Sequence, residues 1–254
     1  GNLIYDQLRA DSADHLTVSF FRSRLIDRCV PDFVPLVGHV QHDQYHRYTA
    51  DAHIMQTLRE MKRLHAKPKL AGRLAPMLKA LSEAEWCILM WSCLYHDLAK
   101  GRGGDHSQLG VRMAERDLRR FGVNEAIVND VLWLIENHLA MSIAAFRKNP
   151  RDPKTWQSLA EIGAHHRRVD LLAAFTIIDI RGTNPEAWTD WKERLLSELV
   201  SALNSDQVSP LLEFWQSVQK KKINLSQEFL QSMDSYLVET LPRSVLIQDL
   251  SGWV

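Results

Sequence analysis

The sequence predicts an all-α protein. Apolar residues recur at helical spacing along most of the chain, and strand-like alternation is nearly absent. Residues that start and stop helices fall where the periodic runs begin and end. Ile54, Leu58, Met61 and Leu64 follow i, i+4, i+7 spacing, which places a helix from about Asp51 to just before Pro68. Ser82 with Glu85 three residues later is a capping box, and the run it opens, Trp86 to Leu94, is apolar on almost every face. A helix of that kind is normally buried. Gly101, Gly103 and Gly104 are expected to stop it. Further helices are expected from about Ser107 to Phe121, ended by Gly122, and from about Asn124 to Leu139. Another starts at Asp152-Pro153, an N-cap followed by proline at the first helical position. The next runs from about His166 to Ile180, and Asn184-Pro185 is expected to start one carrying Trp188 and Trp191, read as core packing. From about Ser205 the pattern suggests two more helices. The whole chain, 1–254, reads as one helical bundle with a core over about 30–200, an N-terminal helical extension and a C-terminal one over about 205–254.

Composition narrows the class of function. Hydrophobic residues make up 45% of the chain, enough for a real core. Lys plus Arg (31) balances Asp plus Glu (31), so no global field recruits nucleic acid or an acidic membrane. The basic clusters Arg119-Arg120, His165-His166-Arg167-Arg168 and Lys220-Lys221-Lys222 read as solvated helix faces. Cys29, Cys87 and Cys93 form no CxxC pair and read as reduced core residues of a cytoplasmic protein. No apolar run reaches membrane-spanning length and no signal peptide opens the chain. Gly rather than Met stands first, so the chain reads either as a domain cut from a longer protein or as a stand-alone relative of one.

The chemistry concentrates where the buried helix ends, at Tyr95-His96-Asp97-Leu98-Ala99. Two ionisable side chains at that depth are costly unless compensated, and a metal cation is the commonest compensation. His138 follows Val131, Leu134 and Ile135 at seven, four and three positions and so projects from an apolar face. Asp179 follows Leu172 and Phe175 in the same way. Asp170, half a turn away on the wheel, is expected to face solvent. His53 lies at the edge of an apolar stripe, and His106 sits in the glycine-rich loop Gly103-Gly104-Asp105-His106-Ser107. Imidazoles and carboxylates without cysteine form an N/O ligand set suited to Mn, Fe, Mg or Zn in an open catalytic site. A carboxylate such as Asp97 can bridge two such ions. Simpler readings exist for each residue taken alone. Asp179 could cap its helix or pair with Arg181, His53 could be an ordinary helix-entry residue, and His138 a satisfied core histidine. Lys100, one turn after Asp97, reads equally well as a surface lysine at a helix C-terminus or as a phosphate contact. A second His-Asp pair, His42-Asp43, lies in a polar stretch with no buried helix before it, which favours the pair at 96–97. Four separate helices each delivering a metal-type residue is what makes the simpler readings fail together.

The order His53, His96-Asp97, Asp179 resembles the HD superfamily of metal-dependent phosphohydrolases. The stretches His46 to His53, His96-Asp97-Leu98-Ala99-Lys100-Gly101-Arg102-Gly103-Gly104-Asp105-His106-Ser107, Asn137 to Ser142 and Asp179 to Pro185 look like the HD domain of bifunctional PII uridylyltransferase/uridylyl-removing enzymes. The likeness runs from about 30 to 200, with a weaker echo from Leu241 to the end. It departs at Ala50-Asp51-Ala52-His53, where the family usually has Val-Asp-Glu-His, and at Asn137-His138, where it often has His-His. The resemblance implies a divalent metal centre of one or two ions. His53, His96, Asp97 and Asp179 would be core ligands, and His106 and His138 would complete a second site. Asp97 and Lys100 would be the catalytic residues, with Lys100, Arg102 and His46 toward the substrate. It further implies in-line attack of an activated water on the phosphodiester joining UMP to a tyrosine of the PII signalling protein. That setting is nitrogen regulation, with nucleotidyltransferase and ACT domains elsewhere in a longer chain; neither domain's pattern occurs in this sequence. Two alternatives follow from the same likeness: an HD phosphohydrolase for free or cyclic nucleotides, and a regulatory HD module whose metal site is vestigial.

Overall fold

The computed structural model describes residues 15–39, 48–102 and 106–204; for His15, Leu16 and His106 the side chains lie outside the described residues. Helices α1 (His15–Arg22) and α2 (Leu25–Cys29) and a 3-10 turn (Pro31–Leu36) lead into α3 (Ala50–Ala66). A second 3-10 turn (Pro68–Leu74) and α4 (Ala75–Ala80) connect to α5 (Glu83–Tyr95). There follow α6 (His106–Arg120), α7 (Glu125–Asn137), α8 (Ala140–Phe146), α9 (Pro153–Glu161), α10 (Arg167–Thr183), a 3-10 turn (Pro185–Ala187) and α11 (Asp190–Leu203). No strand occurs among the described residues. The all-α expectation holds.

Helix α5 is the axis around which the others assemble. Its start is fixed locally: the Ser82 hydroxyl accepts from the Glu85 N–H at 3.3 Å, and the Glu85 carboxylate accepts from the Ser82 N–H at 2.7 Å. Every side chain from Glu85 to Tyr95 is buried, as an all-round apolar helix requires. Helices α3, α7 and α10 pack against it, α10 lies along α3, and α6 packs on α7. Full burial of residues such as Trp86, Trp91, Ile88 and Leu89 contributes about 1.5–3 kcal/mol each, before the cost of ordering the chain. Asp152 caps α9 as expected, accepting from the Lys154 N–H at 2.9 Å, and Asn124, near which α7 was expected to begin, caps it by accepting from the Ala126 N–H at 2.9 Å.

The structure revises three expectations. Helix α5 stops at Tyr95, before any glycine, and the chain leaves through a tight turn held by Leu98 N–H to Tyr95 O (3.2 Å) and Lys100 N–H to Asp97 O (3.0 Å). Gly101 completes that turn at φ +78°, with its missing side chain giving room to the His39 ring, which a Cβ would meet at 2.8 Å. Gly103 and Gly104 lie outside the described residues. Asn184-Pro185 starts only a single 3-10 turn, because a second start signal follows: the Thr189 hydroxyl accepts from the Lys192 N–H and opens α11 at Asp190. Trp188 therefore lies in the connection, and Trp191 is 51% exposed rather than core. Finally, α8 lies between the helices expected to end near Leu139 and to start at Asp152-Pro153, where no helix was expected. The segment from Ser205, with its two expected helices, lies outside the described residues.

Candidate metal centre

Four side chains from three elements converge at the C-terminal end of α5. His53 enters from the first turns of α3, His96 and Asp97 from the turn that closes α5, and Asp179 from the inner face of α10. His53 Nε2 lies 3.0 Å from Asp179 Oδ1, 3.2 Å from His96 Nε2 and 3.5 Å from Asp97 Oδ2. His96 Nε2 lies 3.3 Å from Asp97 Oδ2 and 3.5 Å from Asp179 Oδ1. His96 Nδ1 lies 3.1 Å from the Cys93 carbonyl, which holds the ring with Nε2 aimed into the cluster. Phe175 backs the imidazole edge-on, its ring centroid 5.2 Å from that of His96.

This donor set fits a divalent cation. Bonds of about 2.0–2.2 Å to nitrogen and oxygen place neighbouring ligand atoms about 3.0–3.5 Å apart in octahedral or tetrahedral geometry. The separations above fall in that range. His53, His96 and Asp179 offer ligand atoms close enough to hold one ion, and Asp97 Oδ2 adjoins the same atoms. His53, His96 and Asp97 are sealed in the core, whereas the Asp179 side chain is 25% exposed and that of Lys100 20%. The cluster therefore opens to solvent on the side of Asp179 and Lys100.

The electrostatics agree. Burial opposes ionisation of both carboxylates, yet the neighbouring imidazoles overcome it and hold Asp179 well below the usual carboxylate range. Asp97 is held low by His96, Lys100 and His53. Burial likewise opposes charge on His96, but Asp97 and Asp179 raise it to about 10. Without metal, then, a proton on His96 balances the carboxylates at neutral pH. A ligating imidazole must be neutral, so metal binding expels that proton. Metal uptake at pH 7 is expected to release about one proton, and affinity to rise about tenfold per pH unit until His96 has titrated. Calorimetric metal titrations in buffers of different ionisation enthalpy check this; buffer-independent heats would refute it.

The other candidates divide. Lys100 Nζ contacts Asp97 Oδ2 at 2.6 Å, so the lysine belongs to the centre and is not merely a surface cation at a helix end. His138 is buried, 5.5 Å from His96 between ring centroids. Burial and the His96 charge push its pKa down, and its Nδ1–H donates to the Ile135 carbonyl at 2.7 Å. The neutral ring thus carries its lone pair on Nε2. At this corner His138 faces inward, while the Asn137 amide donates back to the Trp133 carbonyl. His106 begins α6, but its side chain lies outside the described residues, as does all of His46. The Arg102 guanidinium is committed to Asp32, 2.8 Å from its Oδ1. Asp170 is half-buried and accepts from Asn204 at 3.0 Å, rather than facing solvent.

Sequence reasoning missed the supports. Arg181 pairs with buried Glu60 at 2.9 Å and not with Asp179, which leaves Asp179 to the centre. The Tyr95 hydroxyl, beside His96 in the chain, donates to buried Asp117 at 3.2 Å, and Arg116 holds Asp117 from the other side. Asp32 ties Arg102 to Arg116 and so fastens the turn that carries Lys100. The only available signal for Asp117 was its position four and three residues after Met113 and Ala114, on the apolar face of an otherwise charged helix.

A buried His-Asp pair joined by a histidine and an aspartate from flanking helices defines a class, and comparison agrees: residues 53–175 match the HD domain family, so the chain carries an HD domain. Its relatives include the bifunctional uridylyltransferase/uridylyl-removing enzymes of Thiobacillus denitrificans, 40% identical over 187 residues, and of Chromobacterium violaceum, 38% over 184. That of Burkholderia thailandensis is 37% identical over 182 residues. These alignments cover 70–71% of this chain but 21% of each relative, so the chain spans about a fifth of their length.

Proposed function

We propose that this centre hydrolyses a nucleotidyl phosphodiester, and that the bond cleaved joins UMP to a tyrosine of a PII-type signalling protein. The observation that carries the reading is the buried two-imidazole, two-carboxylate cage with Lys100 on its open side. The similarity to enzymes named as uridylyl-removing supports the choice of substrate. His53, His96, Asp97 and Asp179 would hold the ion, with His138 and His106 candidates for a second. When bound, a divalent ion there supplies a Lewis acid and lowers the pKa of water. The residues do the rest. The buried imidazoles and Asp97 fix the donor positions before substrate arrives, which removes reorganisation from the reaction. Lys100 puts a positive charge at the exposed edge, where phosphoryl oxygens enter. Water adds its oxygen to phosphorus and gives up a proton, the bond from phosphorus to the tyrosine oxygen breaks, and the phenolate takes up a proton, so UMP is released and the PII protein keeps its unmodified tyrosine. A phenol of pKa about 10 makes that oxygen a fair leaving group. The setting consistent with this reading is the cytoplasm, within nitrogen regulation. Nucleotidyltransferase and ACT domains would complete a longer chain. No helix among the described residues is long and apolar enough to cross a membrane.

The test is product analysis. Metal-replete protein is expected to contain one or two equivalents of Mn, Fe, Mg or Zn and to release UMP from uridylylated PII faster than it hydrolyses free or cyclic nucleotides. Preference for a free or cyclic nucleotide would replace the substrate, and a protein that takes up no metal would leave a vestigial regulatory module. Lys100→Ala is expected to keep its metal and lose about 10–100-fold in kcat, the scale for a group beside the metal ligands. Unchanged turnover would return Lys100 to the protein surface.

A further inference from the structure

A second surface begins one residue from His138. Leu139, Ile143 and Phe146 follow i, i+4, i+7 spacing, so they share one face of α8. Leu139 is 43% exposed and Ile143 37%. The face continues to Trp191, whose ring centroid lies 6.4 Å from that of Phe146. Large apolar side chains at this exposure, gathered along one line, mark interaction surfaces more often than isolated ones do. At its inner end the stripe borders a cleft of about 300 Å³, lined by Ser107, Asn137, Leu139, Ile143, Lys148 and Leu159 among others. Asn137 and Leu139 flank His138, whose ring centroid lies 5.5 Å from that of His96, so the cleft begins one residue from the wall of the metal centre. Two cations flank the stripe: Lys148 on the cleft wall, and Lys192 with Nζ 5.9 Å from the Phe146 ring centre.

We infer that this stripe docks the protein that carries the phosphodiester, with apolar side chains of the partner on Leu139, Ile143 and Trp191 and carboxylates of the partner beside Lys148 and Lys192. The inference rests on the protein-linked substrate proposed above. Extent favours a protein over a free nucleotide. From Leu139 to Phe146 the helix rises about 10 Å, and Trp191 extends the line by a further 6.4 Å between rings. A mononucleotide at the metal centre would leave most of that line uncovered. The cleft's volume is at the low end of ligand pockets, suited to one or two inserted side chains. An exposed tryptophan next to aliphatic residues is also the composition that dominates binding energy at protein interfaces.

The test uses two substrates on the metal-replete protein: uridylylated PII, and bis(4-nitrophenyl) phosphate, which reaches the metal without docking. Ile143→Glu and Trp191→Ala are each expected to raise KM for uridylylated PII about tenfold or more, with kcat and the hydrolysis of the small diester unchanged. Lys148→Glu is expected to raise the same KM and to weaken its salt dependence. Unchanged KM in the first two variants, with the parent active on uridylylated PII, overturns the docking surface and leaves the proposed reaction standing. Equal loss on both substrates overturns it too, because the residues would then serve the fold or the centre. A parent that cleaves the small diester but not uridylylated PII overturns the proposed substrate, and the docking surface with it, before any variant is made.

Discussion

Replacing Asp97 by alanine is expected to abolish phosphodiester hydrolysis and most metal binding while the helical signal in circular dichroism stays that of the parent. One oxygen of this carboxylate, Oδ2, lies 2.6 Å from Lys100 Nζ, 3.3 Å from His96 Nε2 and 3.5 Å from His53 Nε2. Its removal takes one of two negative charges from a cage built to hold a cation. A single preorganised electrostatic group commonly carries 10²–10³-fold in rate, and a residue that both ligates and polarises should reach or exceed about 10³. The fold should tolerate the change. The side chain is small, so the cavity left is small, and Lys100 is exposed enough to turn toward water. Asp97→Asn separates charge from shape: it keeps the volume and should still lose metal and turnover. Elemental analysis and turnover of both variants check the argument. Near-parent turnover by Asp97→Ala would sink the centre, and near-parent metal content in Asp97→Asn would sink the charge argument.

That centre was partly legible in the sequence, for a reason that also sets the limit. Local signals survive folding because their cause lies within a few residues. The Ser82–Glu85 box, the Asp152 cap and the periodicity of α3 all appear in the structure where the chain pattern puts them. His96-Asp97 stood out because an apolar helix led into two ionisable residues, a conflict only the tertiary structure could resolve. Helix α8 was missed because it is seven residues long, under two full turns, too short for a period to show. The supports were missed because their partners are remote in sequence. Glu60 and Arg181 are 121 residues apart, Asp32 and Arg102 70 apart, and no window on the chain contains both members of either pair. Arg102 was accordingly read toward substrate, when Asp32 takes up its guanidinium. Trp191 was read as core because tryptophan usually is. Its exposure depends on where α11 crosses α8, which the sequence does not state.

The crossing of α10 over α3 sets the second large effect. Gly182 lies three residues after Asp179, and Thr57 four after His53, so this contact sits one helical turn beyond the His53–Asp179 contact. A Cβ at Gly182 would come within 2.5 Å of Thr57 Cγ2 and 3.0 Å of the Thr57 N and Cα atoms. Only the methyl can turn aside. The backbone atoms cannot, so Gly182→Ala must drive α10 away from α3. Overpacking of this kind costs about 1–3 kcal/mol, or a fall in Tm of about 2–4 °C for each kcal/mol in a domain of this size. The larger expected effect is functional. Separating the helices lengthens the 3.0 Å approach of His53 Nε2 to Asp179 Oδ1, and ligand atoms spread beyond a cation's bond geometry lose affinity. Metal affinity is expected to fall about 10–100-fold, the scale seen when outer supports of a metal site are removed. Thr57→Ala in the same chain removes the methyl and relieves the closest contact, leaving the backbone ones. The double variant should therefore recover part of both losses, giving a positive coupling between the two positions. Strict additivity in Tm and metal affinity would mean that the two helices do not meet there, and that close packing between Gly182 and Thr57 does not set the distance between the two ligands.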